Sequence, residues 1–258
     1  MLSPLLSADP ATPTDGTRGG EDPALADQAV AVLVEVAGLA PWRREGEAEA
    51  RAHGPRLRRL FLRASSAGRE GPGVLERVRR EGARPPAAHG VAGDLHETFW
   101  ALAVLLAAGP GPSRSPEDVC RDADDLDALL RPASRGGETG TSSFALAAAV
   151  GLPALRAGRA AGRGESVARL DALLALVAET DDTRVRREHG VLAVRMLRQD
   201  ARTVLAAGGS ATREGRRLLA DMERSIAFYG TRPTAGTAAL ATALLLERTT
   251  SPDGGGTP

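Results

Sequence analysis

Apolar residues recur at helical spacing along almost the whole chain, and no convincing run alternates as a half-buried strand requires. In "ESVARLDALLALVAE" (165–179), Val167, Leu170, Leu173, Leu174 and Val177 fall on one face at intervals of three and four. "REGRRLLADMERSIAF" (213–228) repeats the pattern with Leu218, Leu219, Met222 and Ile226. "DPALADQAVAVLVEVAG" (22–38) opens with an Asp cap and a first-turn Pro and stops at Gly38. "TAALATALLLE" (237–247) is apolar nearly all round and is expected to lie buried. "FWALAVLLAAG" (99–109) reads as another buried helix and is too short to span a bilayer. The spacing therefore predicts an all-α fold, a single compact domain of nine or ten helices over residues 23–248. Breaks are expected at the Pro/Gly stretches 109–116 and 131–141, and disordered tails at 1–22 and 249–258. No internal repeat is visible.

Composition narrows the function. The 33 basic residues balance 33 acidic ones, so no global field draws the chain to nucleic acid or to an acidic membrane. Every basic residue is arginine, which excludes a lysine nucleophile, a Schiff-base lysine and a phosphate-loop lysine. Cys120 is the single cysteine, so there is no intramolecular disulfide and no cysteine-rich metal site. The N-terminus lacks the basic-then-apolar order of a secretory signal. A soluble, cytoplasmic protein with no membrane or nucleic-acid partner is expected.

The most polar joint is "ETDDTRVRREHG" (179–190). Adjacent carboxylates at Asp181 and Asp182 suit magnesium, which takes oxygen ligands and commonly shares them with substrate phosphates. Arg184, Arg186 and Arg187 suit forked contacts to phosphate oxygens. The same residues also fit a plainer role, with Asp182 or Thr183 capping the next helix and the arginines solvated. A second acidic run, "DADDLDALL" (122–130), places Asp122, Asp124, Asp125 and Asp127 where the first turn of a surface helix would favour them. The histidines (His53, His89, His96 and His189) form no two-His helical pair of the metalloprotease kind. His96, in "GDLHETFW", stands just before an apolar helix, where a reactive side chain can face a cleft. "AAGGSATREG" (206–215) lacks phosphate-loop spacing and reads as a helix end followed by a cap at Ser210 or Thr212.

Several of these stretches carry a resemblance. "ARLDALLALVAETDDTRV" is similar to a run entering an Asp-Asp-Thr-Asn motif. "ARTVLAAGGSATREGRRLLADMERSI" follows at the matching distance, and "TRPTAGTAALATALLLE" stands in place of a Ser-Pro-Gly-Gly-Ser-Ala-Asp-Leu-Leu-Ala segment. "LHETFWALAVLLAAG" and "GGETGTSSFALAAAVGLPALRAG" resemble an Asn-Thr-His-(Lys/Arg)-Gly helix and an Arg-Gly-Glu segment. In this order, over residues 24–248, they resemble the triphosphoribosyl-dephospho-coenzyme A synthase family. The resemblance implies cleavage of the N-glycosidic bond of ATP with release of adenine. The triphosphoribosyl group then joins the ribose 2′-hydroxyl of dephospho-coenzyme A. It implies magnesium held by Asp181 and Asp182, with Glu138 and His96 as acid–base residues. His53, near a Gly-Ala-His position, would contact nucleotide, beside Arg184, Arg186 and Arg187, whose phosphate contacts are read from the residues themselves.

The polar motifs depart from that pattern while the helices keep it. "APWRREGEAEA" (40–50) replaces Pro-Lys-Pro-Gly-Leu-Val-Asp, Glu97 stands at the Lys/Arg position, and Arg184 takes the place of the Asn after Asp-Thr. Arg187 falls on a histidine position, His189 on a glycine, and Ala238 on the aspartate of the last motif. Two further functions stay open on the sequence alone: an enzyme on the same scaffold using another nucleotide or acceptor, and a non-catalytic nucleotide- or protein-binding homologue.

Overall fold

Twelve α-helical segments follow one another in the computed structural model, which describes residues 22–39, 41–42, 46–82, 93–130 and 142–250. They are α1 (Pro23–Leu39), α2 (Gly46–Ala52), α3 (Gly54–Glu70), α4 (Gly73–Gly82), α5 (Gly93–Ala107) and α6 (Pro116–Leu130). Then come α7 (Ser143–Leu146), α8 (Leu152–Ala160), α9 (Glu165–Glu179), α10 (Thr183–Ala206), α11 (Arg213–Tyr229) and α12 (Ala235–Thr250). No strand occurs among the described residues. The expected break at 131–141 lies outside them, as do the predicted tails apart from their inner ends. Asp22 caps α1 by accepting the Leu25 amide at 3.1 Å, and Thr249 and Thr250 continue α12 past the predicted boundary.

The core is built round α12, which packs on α5, α9 and α1 and on the turn between α7 and α8. Leu240, Leu244, Leu245 and Leu246 are buried on it, as are Ala239, Ala241 and Ala243. Small residues let its neighbours come close. A Cβ added at Gly236 would meet Val177 of α9 at 3.0 Å, and one at Gly151 would meet Ala243 at 3.0 Å. Residues 147–151 form a π turn that joins α7 to α8. Pro153 follows it and has no N–H for an i→i−4 bond, so the ladder rearranges there.

The acidic run 122–130 is placed differently from expectation. α6 begins at Pro116, where Ser115 accepts the Asp118 amide at 3.1 Å and Glu117 and Asp118 fill the first turn. Asp124, Asp125 and Asp127 therefore lie in its second half, and Asp127 turns inward to accept the Trp100 indole N–H at 2.8 Å. Burial, with Asp124 and Glu117 nearby, pushes the Cys120 thiol up to about 12, so it is no nucleophile near neutral pH. No helix among the described residues is long and apolar enough to cross a membrane.

Candidate functional site

Three helices begin at one place. The first turns of α5, α10 and α12 are tied together by side chains, and Asp182, 4% exposed, is the knot. Its Oδ1 accepts the Val185 amide at 3.0 Å, the capping bond of α10. Its Oδ2 accepts the Thr234 and Ala235 amides at 2.8 and 3.1 Å, where α12 starts. One carboxylate thus satisfies three backbone donors at two helix ends and sets negative charge against both dipoles. Thr234 donates its hydroxyl to Glu97 at 2.5 Å, which brings in α5. A crevice of about 10 Å³ opens beside the knot, lined by Val177, Thr180, Asp182, Val194, Pro233 and Gly236. It has room for about one water.

Asp181 behaves differently from its neighbour. Its side chain is 38% exposed and pairs with Arg186 across the first turns of α10. Arg184 reaches Glu188 at 3.2 Å, and Arg187 is exposed. Gly190 then breaks the helix with φ of 84°, a left-handed value that glycine adopts without a Cβ clash. The segment from Thr183 to His189 is therefore a separate two-turn piece, fixed at its start by Asp182.

The predicted residues are only partly gathered. Asp181, Asp182, Arg184, Arg186 and Arg187 share the α10 start, and His96 sits half-buried on α5 beside Glu97, its ring centroid 6.2 Å from that of Phe99. His53 stands at the corner between α2 and α3, and α3 packs on α1, α4 and α5. Glu138 lies outside the described residues. Reading the sequence missed Thr234 and Glu97. Thr234 carried a faint signal, a threonine directly ahead of an apolar helix. Glu97 carried none.

The C-terminal half, residues 137–254, matches the family profile described as CitG: ATP:dephospho-CoA triphosphoribosyl transferase. The chain is 36% identical over 196 residues to a protein of Azotobacter vinelandii named "Probable 2-(5''-triphosphoribosyl)-3'-dephosphocoenzyme-A synthase", covering 68% of this chain and 67% of that one. The chain belongs to this family. A Pseudomonas fluorescens protein with the same name is 36% identical over 201 residues, 70% of this chain and 69% of its own. A Pseudomonas paraeruginosa relative, also so named, is 35% identical over 176 residues, 61% of this chain and 60% of its own. No solved structure matches the chain.

Among the described residues no group of three or more His, Cys, Asp or Glu side chains is placed to hold a metal ion. Magnesium does not need one, since one or two carboxylates with substrate phosphates and water suffice. The fit then turns on the two aspartates singly. Asp181, at the surface, fits. Asp182 fits poorly as a direct ligand, because both lone pairs of Oδ2 and one of Oδ1 are engaged by backbone amides.

Proposed function

We propose that the chain is a transferase that moves the triphosphoribosyl group of ATP to the ribose 2′-hydroxyl of 3′-dephospho-coenzyme A and releases adenine. The observation that carries this reading is the relationship to proteins named for that product over two thirds of both chains. The Asp-Asp-Thr stretch stands at the junction of α10 and α12. In the reaction the bond from ribose C1 to the adenine nitrogen breaks and a bond from C1 to the 2′-oxygen forms. Adenine leaves with a proton supplied by an acid, and the hydroxyl proton passes to a base. Positive charge grows on the ribose ring between those events, so groups preorganised around it lower the barrier.

On this reading the triphosphate is a handle. Arg184, Arg186 and Arg187 stand on the two-turn start of α10 and would fork onto its oxygens. Asp181 would hold magnesium, which when bound neutralises phosphate charge. His96, on the first turn of α5, is the acid–base candidate within the described residues, and Glu138 is the second candidate. The setting on this reading is the cytoplasm.

The test is a coupled product assay. Purified protein is incubated with ATP, magnesium and dephospho-coenzyme A, and free adenine and the adduct are followed by chromatography and mass spectrometry. Adenine and adduct should rise together and depend on the acceptor. Adenine without adduct would point to a different acceptor, and neither product from a folded protein would overturn the reading.

A further inference from the structure

We infer that Asp182 is a positioning residue rather than a metal ligand: it clamps the starts of α10 and α12 together, and Asp181 alone of the pair meets the magnesium ion. The inference rests on the transferase reading for its substrate and on the geometry of the junction for everything else.

A carboxylate oxygen has two lone pairs directed at partners, and Oδ2 of Asp182 spends both on the Thr234 and Ala235 amides. Oδ1 takes the Val185 amide. A cation bound directly at Oδ2 would have to displace one of these donors, orphaning the N–H of Thr234, itself 2% exposed, or of half-buried Ala235. The same bonds decide where a phosphate chain can go. Helix N-termini attract anions, but here the carboxylate of Asp182 is already the anion at both. Phosphate oxygens must therefore look to the arginines of α10, whose placement follows from the cap that Asp182 provides. Thr234 adds a second latch, since its amide goes to Asp182 and its hydroxyl to Glu97 of α5. Asp181, 38% exposed and paired with Arg186 through Oδ2, holds no backbone amide at another helix end among the described residues and faces no such demand.

Three variants separate the two aspartates. Asp182→Ser keeps a hydroxyl cap for the Val185 amide but is too short to reach α12. Asp182→Asn keeps the shape but turns an NH₂ donor toward backbone donors. Asp181→Asn removes charge at the surface and leaves the junction intact. Adenine release is measured against magnesium and ATP for each, calorimetry follows magnesium tripolyphosphate binding, and near-UV circular dichroism reports packing. The Asp182→Ser protein should lose about 100-fold in kcat through misplacement of the α10 arginines. Its half-saturating magnesium concentration should stay within about two-fold of wild type, while that of Asp181→Asn rises about ten-fold or more. Should Asp182→Ser fail to fold, Asp182→Asn carries the same comparison. A magnesium shift in an Asp182 variant as large as that of Asp181→Asn, or full turnover without the carboxylate, would overturn the inference. If the wild type releases no adenine, the transferase reading fails by itself. The inference is then decided by magnesium tripolyphosphate binding, where only the Asp181 variant should lose magnesium dependence. A wild type that binds no magnesium tripolyphosphate overturns the inference too.

Discussion

Gly215 and Gly190 hold their places for opposite reasons. A Cβ at Gly215 would lie 1.8 Å from the Gly209 carbonyl oxygen, where the turn after α10 folds back on the first turn of α11. The neighbour is backbone, pinned because Asp171 accepts the Ser210 amide at 2.7 Å. At Gly190 nothing lies within 4 Å, and only the φ of 84° opposes a side chain. Gly215→Ala is therefore expected to destabilise by about 3 kcal/mol through overpacking against fixed backbone. Gly190→Ala should cost about 1–2 kcal/mol through left-handed strain alone. Urea unfolding with an unchanged slope measures both, and a larger loss at Gly190 than at Gly215 would contradict the packing account.

At the scale of elements, six alternating charges run across four helices. Glu247 pairs with Arg159, Arg159 with Glu165, Glu165 with Arg169, Arg169 with Glu35 and Glu35 with Arg248, joining α12, α8, α9 and α1. Hydrogen bonding from Arg159, helped by the charge of Arg169, holds the Glu165 carboxyl down at about 2, against an ordinary value of 4.5. Because its folded value is depressed, Glu165 stabilises the protein fully above the unfolded value. That contribution fades as pH falls from about 5 toward 2. Its side chain is 40% exposed, so solvent screening keeps the effect near about 1 kcal/mol. Glu165→Gln should remove about that much stability at pH 7 and little at pH 2.5, which narrows the gap between the two denaturation midpoints. An unchanged gap would mean that the chain of charges contributes nothing through this residue.

Across the whole molecule, what the sequence made legible was local. The boundaries of α9 follow from its apolar spacing, and those of α1 and α11 come within a residue of it. α6 was misplaced because Ser115-Pro116, a better start signal, lay upstream of a more conspicuous acidic run. The capping of α10 by Asp182 was one of two readings of its residue type. Its second hold, on α12, links residues 52 and 53 positions apart, and no spacing rule reaches that far. The bond from Thr234 to Glu97 was out of reach for the same reason, since it spans 137 residues.

Long-range closure also bears on whether the region matched by the family profile can stand alone. Residues 137–254 contain α12, yet two of the elements packed on α12 are α5 and α1, from outside that region. Leu240, Leu244 and the alanines between them are buried in the whole chain. Taken without α1 and α5, the fragment would present much of that apolar surface to water, a larger patch than soluble monomers tolerate. It would also lose the Arg248–Glu35 and Arg169–Glu35 ion pairs and the Glu97 end of the latch at Thr234. The fragment 137–254 should therefore show helical far-UV signal without a cooperative thermal transition, and should bind a hydrophobic dye. Mixing it with residues 1–136 should restore a cooperative transition, because the missing face is supplied in trans. A fragment that unfolds cooperatively by itself would show that α12 finds enough partners in α7, α9 and the turn before α8 without α1 and α5.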